Sequence, residues 1–75
     1  MSLYIYETGT VGGPPVFFLH GIGTTGWMWT DQAERLADYH NFLVDLPGHG
    51  QSNRQPWVSM QDTAHQIAEL IREKT

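Results

Sequence analysis

The sequence predicts an α/β fold of about three strands and two helices, and three observations carry that expectation. Val16-Phe17-Phe18-Leu19 and Phe42-Leu43-Val44-Asp45-Leu46 are apolar runs without polar alternation, as in parallel strands covered on both faces. Each runs straight into a glycine-rich loop, which can continue neither a sheet nor a helix. Between them Trp29, Ala33, Leu36 and Ala37 recur at offsets of four, seven and eight, the spacing of one helical face. A buried strand, helix, strand unit needs helices on both sides, so the intact architecture is expected to be doubly wound.

The remaining elements follow in chain order. Leu3-Tyr4-Ile5-Tyr6-Glu7 is rich in aromatic and branched residues and ends at Thr8-Gly9, which predicts a strand. Gly12-Gly13-Pro14-Pro15 separates it from the Val16 strand and excludes a helix there. Asp31 and Glu34 favour the amino-terminal half of the first helix electrostatically. Ser59, three positions before Asp62, forms a weak capping box for a second helix. Its apolar face is expected to be Met60, Ala64, Ile67, Ala68 and Ile71, and Arg72 and Lys74 suit its carboxyl end. His40 reads as an inter-element residue and His65 as a helix-surface residue.

Composition excludes several classes. Four Lys/Arg against eight Asp/Glu give a net charge of -4, and the basic residues form no stripe able to neutralise phosphates. Nucleic acid is therefore not an expected partner. The longest apolar run falls far short of the ~18 residues of a membrane helix, and the amino terminus has no basic segment leading into an apolar one. No membrane contact is expected. The absence of cysteine fits a reducing compartment, which makes cytoplasmic localisation the expectation. With 75 residues, a chain of this size buries only about 60% of its unfolded surface, so its stability alone would be marginal.

The chemistry concentrates in the two loops. Acyl transfer develops negative charge on a carbonyl oxygen, which preorganised backbone N–H groups stabilise at about 3 Å. In His20-Gly21-Ile22-Gly23, Gly21 lets the chain reverse and Gly23 keeps side chains out of the space, which leaves the Ile22 N–H as the candidate donor. Any tight turn after a strand also favours glycine. In Asp45-Leu46-Pro47-Gly48-His49-Gly50-Gln51-Ser52, Pro47 fixes one backbone angle while Gly48 and Gly50 permit unusual ones, so a structural turn is the main reading. His49 as a general base would need an orienting carboxylate, and nothing in the sequence turns Asp45 towards it. Ser52 follows a glycine turn but lies outside any Gly-x-Ser-x-Gly elbow and reads as a turn hydroxyl. His20, Asp45 and His49 match no recurrent metal spacing. Trp27 and Trp29 cannot share one helical face, so Trp29 is assigned to the helix–sheet contact and Trp27 to a possible substrate pocket.

Gly21-x-Gly23-x-x-Gly26, with Asp45 near the distance of a ribose-binding carboxylate, also fits a dinucleotide loop. The Pro47-Gly48-His49-Gly50 turn argues against it, because cofactor binding does not need it. Taken together, Val16 to Gly23 and Asp45 to Ser52, in order and separated by an amphipathic segment with Trp29, resemble the amino-terminal part of the α/β-hydrolase superfamily.

The resemblance covers nearly the whole chain. It implies that the Leu3, Val16 and Phe42 strands are the second, third and fourth of an eight-stranded sheet, with the Phe42 strand between the other two. It implies that Ile22 gives one oxyanion N–H and that His20, Gly21 and Gly23 shape its loop. It implies a serine, aspartate or cysteine nucleophile with a later acid and histidine, none of which matches a residue here. Residues 1–75 are thus expected to be an incomplete amino-terminal portion of one catalytic domain, inactive alone and prone to self-associate through uncovered apolar surface. The intact parent is expected to cleave a small ester, amide or related acyl substrate through an acyl-enzyme, without a cofactor or metal. The alternatives are a non-hydrolytic enzyme of the same fold such as a lyase or dehalogenase, a nucleotide-binding module, and a truncated interaction protein.

Overall fold

A computed structural model describes residues 3–75. Three strands, β1 (Ile5–Gly9), β2 (Pro15–Leu19) and β3 (His40–Val44), form one sheet in the order β1-β3-β2. β1 runs antiparallel to β3, with Ile5 opposite Val44, and β2 runs parallel to it, with Phe17 beside Phe42. The central position of β3 explains its composition. Asn41 to Asp45 are all 2% exposed or less, and an apolar run is what a strand covered on both faces requires.

The strand limits differ from those read in the sequence. β3 ends at Val44 rather than Leu46, because the Leu46 N–H turns away from the sheet and donates to His20 Nε2 at 2.9 Å. β1 starts at Ile5 rather than Leu3, since the Tyr4 N–H is taken by Ser52 Oγ at 2.8 Å. Leu3 still enters the core.

Two helices cover opposite faces. A 3-10 turn, Gly26–Trp29, leads into the short α1 (Thr30–Glu34), which then winds down through tighter turns to Tyr39. The helix expected to reach Ala37 therefore stops early. Asn41, buried in the sheet below, donates through Nδ2 to the carbonyls of Leu36 at 3.0 Å and Ala33 at 3.3 Å, satisfying groups that a continued helix would have paired. Trp29 packs against Phe18, ring centroids 5.8 Å apart, and donates its indole N–H to the Leu19 carbonyl at 3.1 Å.

α2 (Met60–Lys74) covers the other face. Its buried positions are Thr63, Ile67 and Leu70, which share one side of a helix at i, i+4 and i+7. Ile67 and Leu70 meet Leu3, Val44 and Leu46, with Ile5 and Phe17 at the margin. The face expected from the sequence is thus rotated. Ile67 lies in the core, whereas Met60, Ala64 and Ile71 are exposed and, with Ala68, border an apolar groove of about 490 Å³ also lined by Leu19, His20, Leu46 and Trp57. At the far end of α2, Lys74 lies 3.9 Å from Glu7, which also accepts from His40 at 2.9 Å. No helix among the described residues is long and apolar enough to cross a membrane.

Ser59 caps α2, its Oγ accepting the Asp62 N–H at 3.0 Å. Ser59→Ala is expected to lower stability by about 1 kcal/mol, read as a lower urea midpoint with an unchanged slope. A shift of the midpoint in the opposite direction would remove the cap from the account of this helix.

Candidate active site

Two β-turns face each other beyond the carboxyl ends of β2 and β3. The first, Gly21–Thr24, is closed by Thr24 N–H donating to Gly21 O at 3.2 Å, and the second, Leu46–His49, by His49 N–H donating to Leu46 O at 3.0 Å. Each has a glycine with positive φ at its third position, Gly23 at 90° and Gly48 at 80°, as a type II turn requires. Pro47 occupies the second position of the second turn, where its fixed φ fits. The left-handed backbone of the first loop is thus at Gly23, and Gly21 needs no such angle.

Two histidines join these turns. The Leu46 N–H donates to His20 Nε2, so Nε2 is an acceptor and Nδ1 carries the proton, which it donates to Gly21 O at 2.7 Å. Thr24 Oγ1 donates to the same carbonyl at 2.6 Å. His49 repeats the arrangement from the other side. Its Nε2 accepts the Gly23 N–H at 3.0 Å and its Nδ1 faces Pro47 O at 2.9 Å. The two rings lie 5.0 Å apart. All four ring nitrogens are therefore engaged with backbone groups.

Asp45 fixes both loops from beneath. Its carboxylate is buried, with Oδ1 accepting the Gly26 N–H at 2.7 Å and Oδ2 the Gln51 N–H at 2.9 Å. A carboxylate turned to two backbone donors anchors a loop, and it does not orient His49. The approach is close, because a Cβ at Gly50 would lie 2.7 Å from Asp45 Cγ and Gly50 itself has φ 50°. Ser52 Oγ donates to Asp45 O at 2.7 Å while accepting from Tyr4. This hydroxyl is 2% exposed and couples the start of the chain to the second loop.

Ile22 is different. Its residue is 76% exposed, and among the described residues no acceptor meets its N–H, whereas the neighbouring Gly23 N–H is taken by His49. The loop therefore presents one backbone donor at its tip.

Trp27 lies elsewhere than the tip. Its ring packs on Tyr6 at 4.8 Å and lines a cavity of about 310 Å³ with Thr8, Ala33, Ala37 and Leu43. Burial pushes the Tyr6 phenol above the usual tyrosine range, and the Asp45 carboxylate adds to the rise against an opposing contact from Trp27. Trp57, a residue the motif reading passes over, borders the groove beside His20 and stands edge-on to His49 at 6.5 Å. The available signal was an aromatic in the short segment between the second loop and the Ser59 cap.

Comparison with known proteins gives four matches. The family model of the alpha/beta hydrolase fold matches residues 14–75. The chain is 38% identical over 60 residues to 2-succinyl-6-hydroxy-2,4-cyclohexadiene-1-carboxylate synthase of Yersinia enterocolitica, covering 80% of this chain and 22% of that protein. The Yersinia pestis protein of the same name is 35% identical with the same coverage. A solved marine microorganism esterase superposes with a TM-score of 0.75 at 29% identity, covering 96% of this chain and 28% of that one. The chain thus spans about a fifth to a quarter of the length of these relatives.

Proposed function

Because the chain belongs to the alpha/beta hydrolase fold family, we propose that its first loop is half of an oxyanion hole, with the Ile22 N–H as the donor. The carrying observation is that Gly23 N–H is tied to His49 while Ile22 N–H is unengaged at an exposed tip. A donor held by a hydrogen-bonded turn costs little reorganisation when charge develops on a carbonyl oxygen. On this reading His20, Gly21 and Gly23 shape the loop, and Asp45, Pro47, Gly48, His49, Gly50 and Ser52 form the turn that backs it. Trp27 would border the substrate only if the pocket extends from its cavity on the α1 side.

Residues 1–75 are read as the amino-terminal portion of one catalytic domain, in keeping with the fraction of each relative that they match. The whole protein would cleave a small ester, amide or related acyl substrate through an acyl-enzyme on a nucleophile supplied elsewhere in the polypeptide. Its reaction sequence would be attack of the nucleophile on the carbonyl, stabilisation of the tetrahedral oxyanion by Ile22 N–H and a second donor, collapse with departure of the protonated alcohol or amine to leave the acyl-enzyme, and attack of water to release the carboxylic acid and the free nucleophile. The 75-residue chain alone would turn over no ester, and its uncovered groove beside Met60 and Ile71 favours self-association.

A second reading has its own support, since two relatives are named as a synthase of a carboxylated cyclohexadiene. A loop that stabilises an oxyanion would serve either chemistry. The test is the naturally produced polypeptide containing this sequence, treated with p-nitrophenyl acetate and a fluorophosphonate. A burst of p-nitrophenol and a covalent phosphonyl adduct are expected. Absence of both would overturn the acyl-enzyme reading in favour of the synthase-like one, and turnover by the purified 75-residue chain would overturn its assignment as an inactive part.

A further inference from the structure

We propose that His49 is a positioning residue that selects which backbone N–H of the glycine loop is free to act. The inference rests on the oxyanion reading of Ile22 and goes beyond it, because it gives a role to a histidine that contacts no substrate.

The central residues of the turn Gly21–Thr24, Ile22 and Gly23, carry adjacent N–H groups, and a mobile loop would offer either. His49 removes one of them. Its Nε2 accepts from Gly23 at 3.0 Å, and its Nδ1 is directed at Pro47 O at 2.9 Å. Donation from Nδ1 to this carbonyl fixes the tautomer that leaves Nε2 unprotonated. Pro47 is itself buried in the second turn, so the acceptor is held by a rigid part of the chain. With Gly23 N–H engaged, Ile22 N–H is the one of this pair without an acceptor among the described residues.

No other group is placed to take over as acceptor. His20, ring to ring at 5.0 Å, has its own nitrogens engaged with Leu46 N–H and Gly21 O. Trp57 offers the ring of His49 only an indole, which can donate but not accept. Asp45 directs its oxygens at Gly26 and Gln51.

The side-chain lengths give a direct test in the natural polypeptide that carries this sequence. Gln places its amide oxygen three bonds from Cβ, as His places Nε2, whereas Asn reaches only to the Nδ1 position. His49→Asn is expected to lower kcat for p-nitrophenyl acetate about tenfold, less than the ~100- to 1,000-fold cost of losing an oxyanion donor outright, with KM nearly unchanged. His49→Gln should recover the rate to within about threefold of the parent. Equal losses in both variants would overturn the proposal. A through-hydrogen-bond 15N–15N coupling between Gly23 N and His49 Nε2 reports this hydrogen bond without any activity. Its absence would overturn the proposal, while its presence in a protein that turns over no ester would support the role of His49 in holding Gly23 and sink the acyl-transfer reading instead.

Discussion

Ile22→Pro is expected to reduce kcat for ester turnover by about 100- to 1,000-fold while leaving the urea midpoint of the protein close to that of the parent. Proline lacks the backbone N–H and so deletes the proposed donor without removing a contact of the Ile22 side chain, which is 76% exposed. The substitution also suits the backbone. Ile22 is the second residue of the Gly21–Thr24 turn, a position where proline's fixed φ is favoured in types I and II. KM should change far less than kcat, because the lost interaction strengthens only as the oxyanion forms. A variant that keeps its rate would dismiss Ile22 as the donor. A variant with a large loss of folding stability would instead show that the turn needs the N–H for structure.

Asp45→Ala should have the largest effect on stability. Two backbone donors, Gly26 N–H and Gln51 N–H, would lose their acceptors at 2.7 and 2.9 Å in a site where the residue is fully buried. Hydrogen bonds to a charged group contribute about 1.5–3 kcal/mol each, and the Gly26 donor is costly to leave buried, so a loss of about 3–5 kcal/mol is expected. A chain of this size has a total stability of only roughly 4–11 kcal/mol at the usual value per residue. Asp45→Asn should fall between parent and Ala, because its amide oxygen can still accept from one N–H while its NH2 group opposes the other. Urea unfolding followed by far-UV circular dichroism would measure the series. A loss below 1 kcal/mol in the Ala variant would mean that water replaces the carboxylate and that the two loops do not depend on it.

The strand, helix, strand unit was legible because burial on both faces writes itself into sequence as an uninterrupted apolar run. The Val16 and Phe42 strands and the α/β class follow from that alone. The central place of β3 came only through the family resemblance, since hydrophobic periodicity carries no record of which strand is a neighbour. Helix limits were less legible for a different reason. α1 stops where Asn41 reaches its carbonyls, and Asn41 lies in a strand several residues later. In α2 both Thr63–Ile67–Leu70 and Met60–Ala64–Ile71 are plausible faces. What decides between them is the position of Leu3, Val44 and Leu46, which the helix sequence does not contain.

The glycines and proline marked where the two loops turn, and local backbone chemistry was sufficient for that. It was not sufficient for the contacts between the loops. Asp45 meets Gly26 across 19 positions, and His49 meets Gly23 across 26. Single residues at such separations leave no periodic signal. The Ile22 N–H was singled out by the arrangement of Gly21 and Gly23, but the group that leaves it unaccompanied is in the other loop.

The span between Gly23 and His49 also sets an order of events during synthesis. Both histidine links cross 26 positions, so a ribosome adding about 5–20 residues per second emits the first loop roughly 1–5 s before its partner. During that interval the Gly21–Thr24 turn has its own local bond but neither His49 nor Asp45 to hold it. The loop with the exposed amide is therefore made early and set late, and a pause in translation between residues 24 and 45 would lengthen the time it remains open to chaperones and proteases.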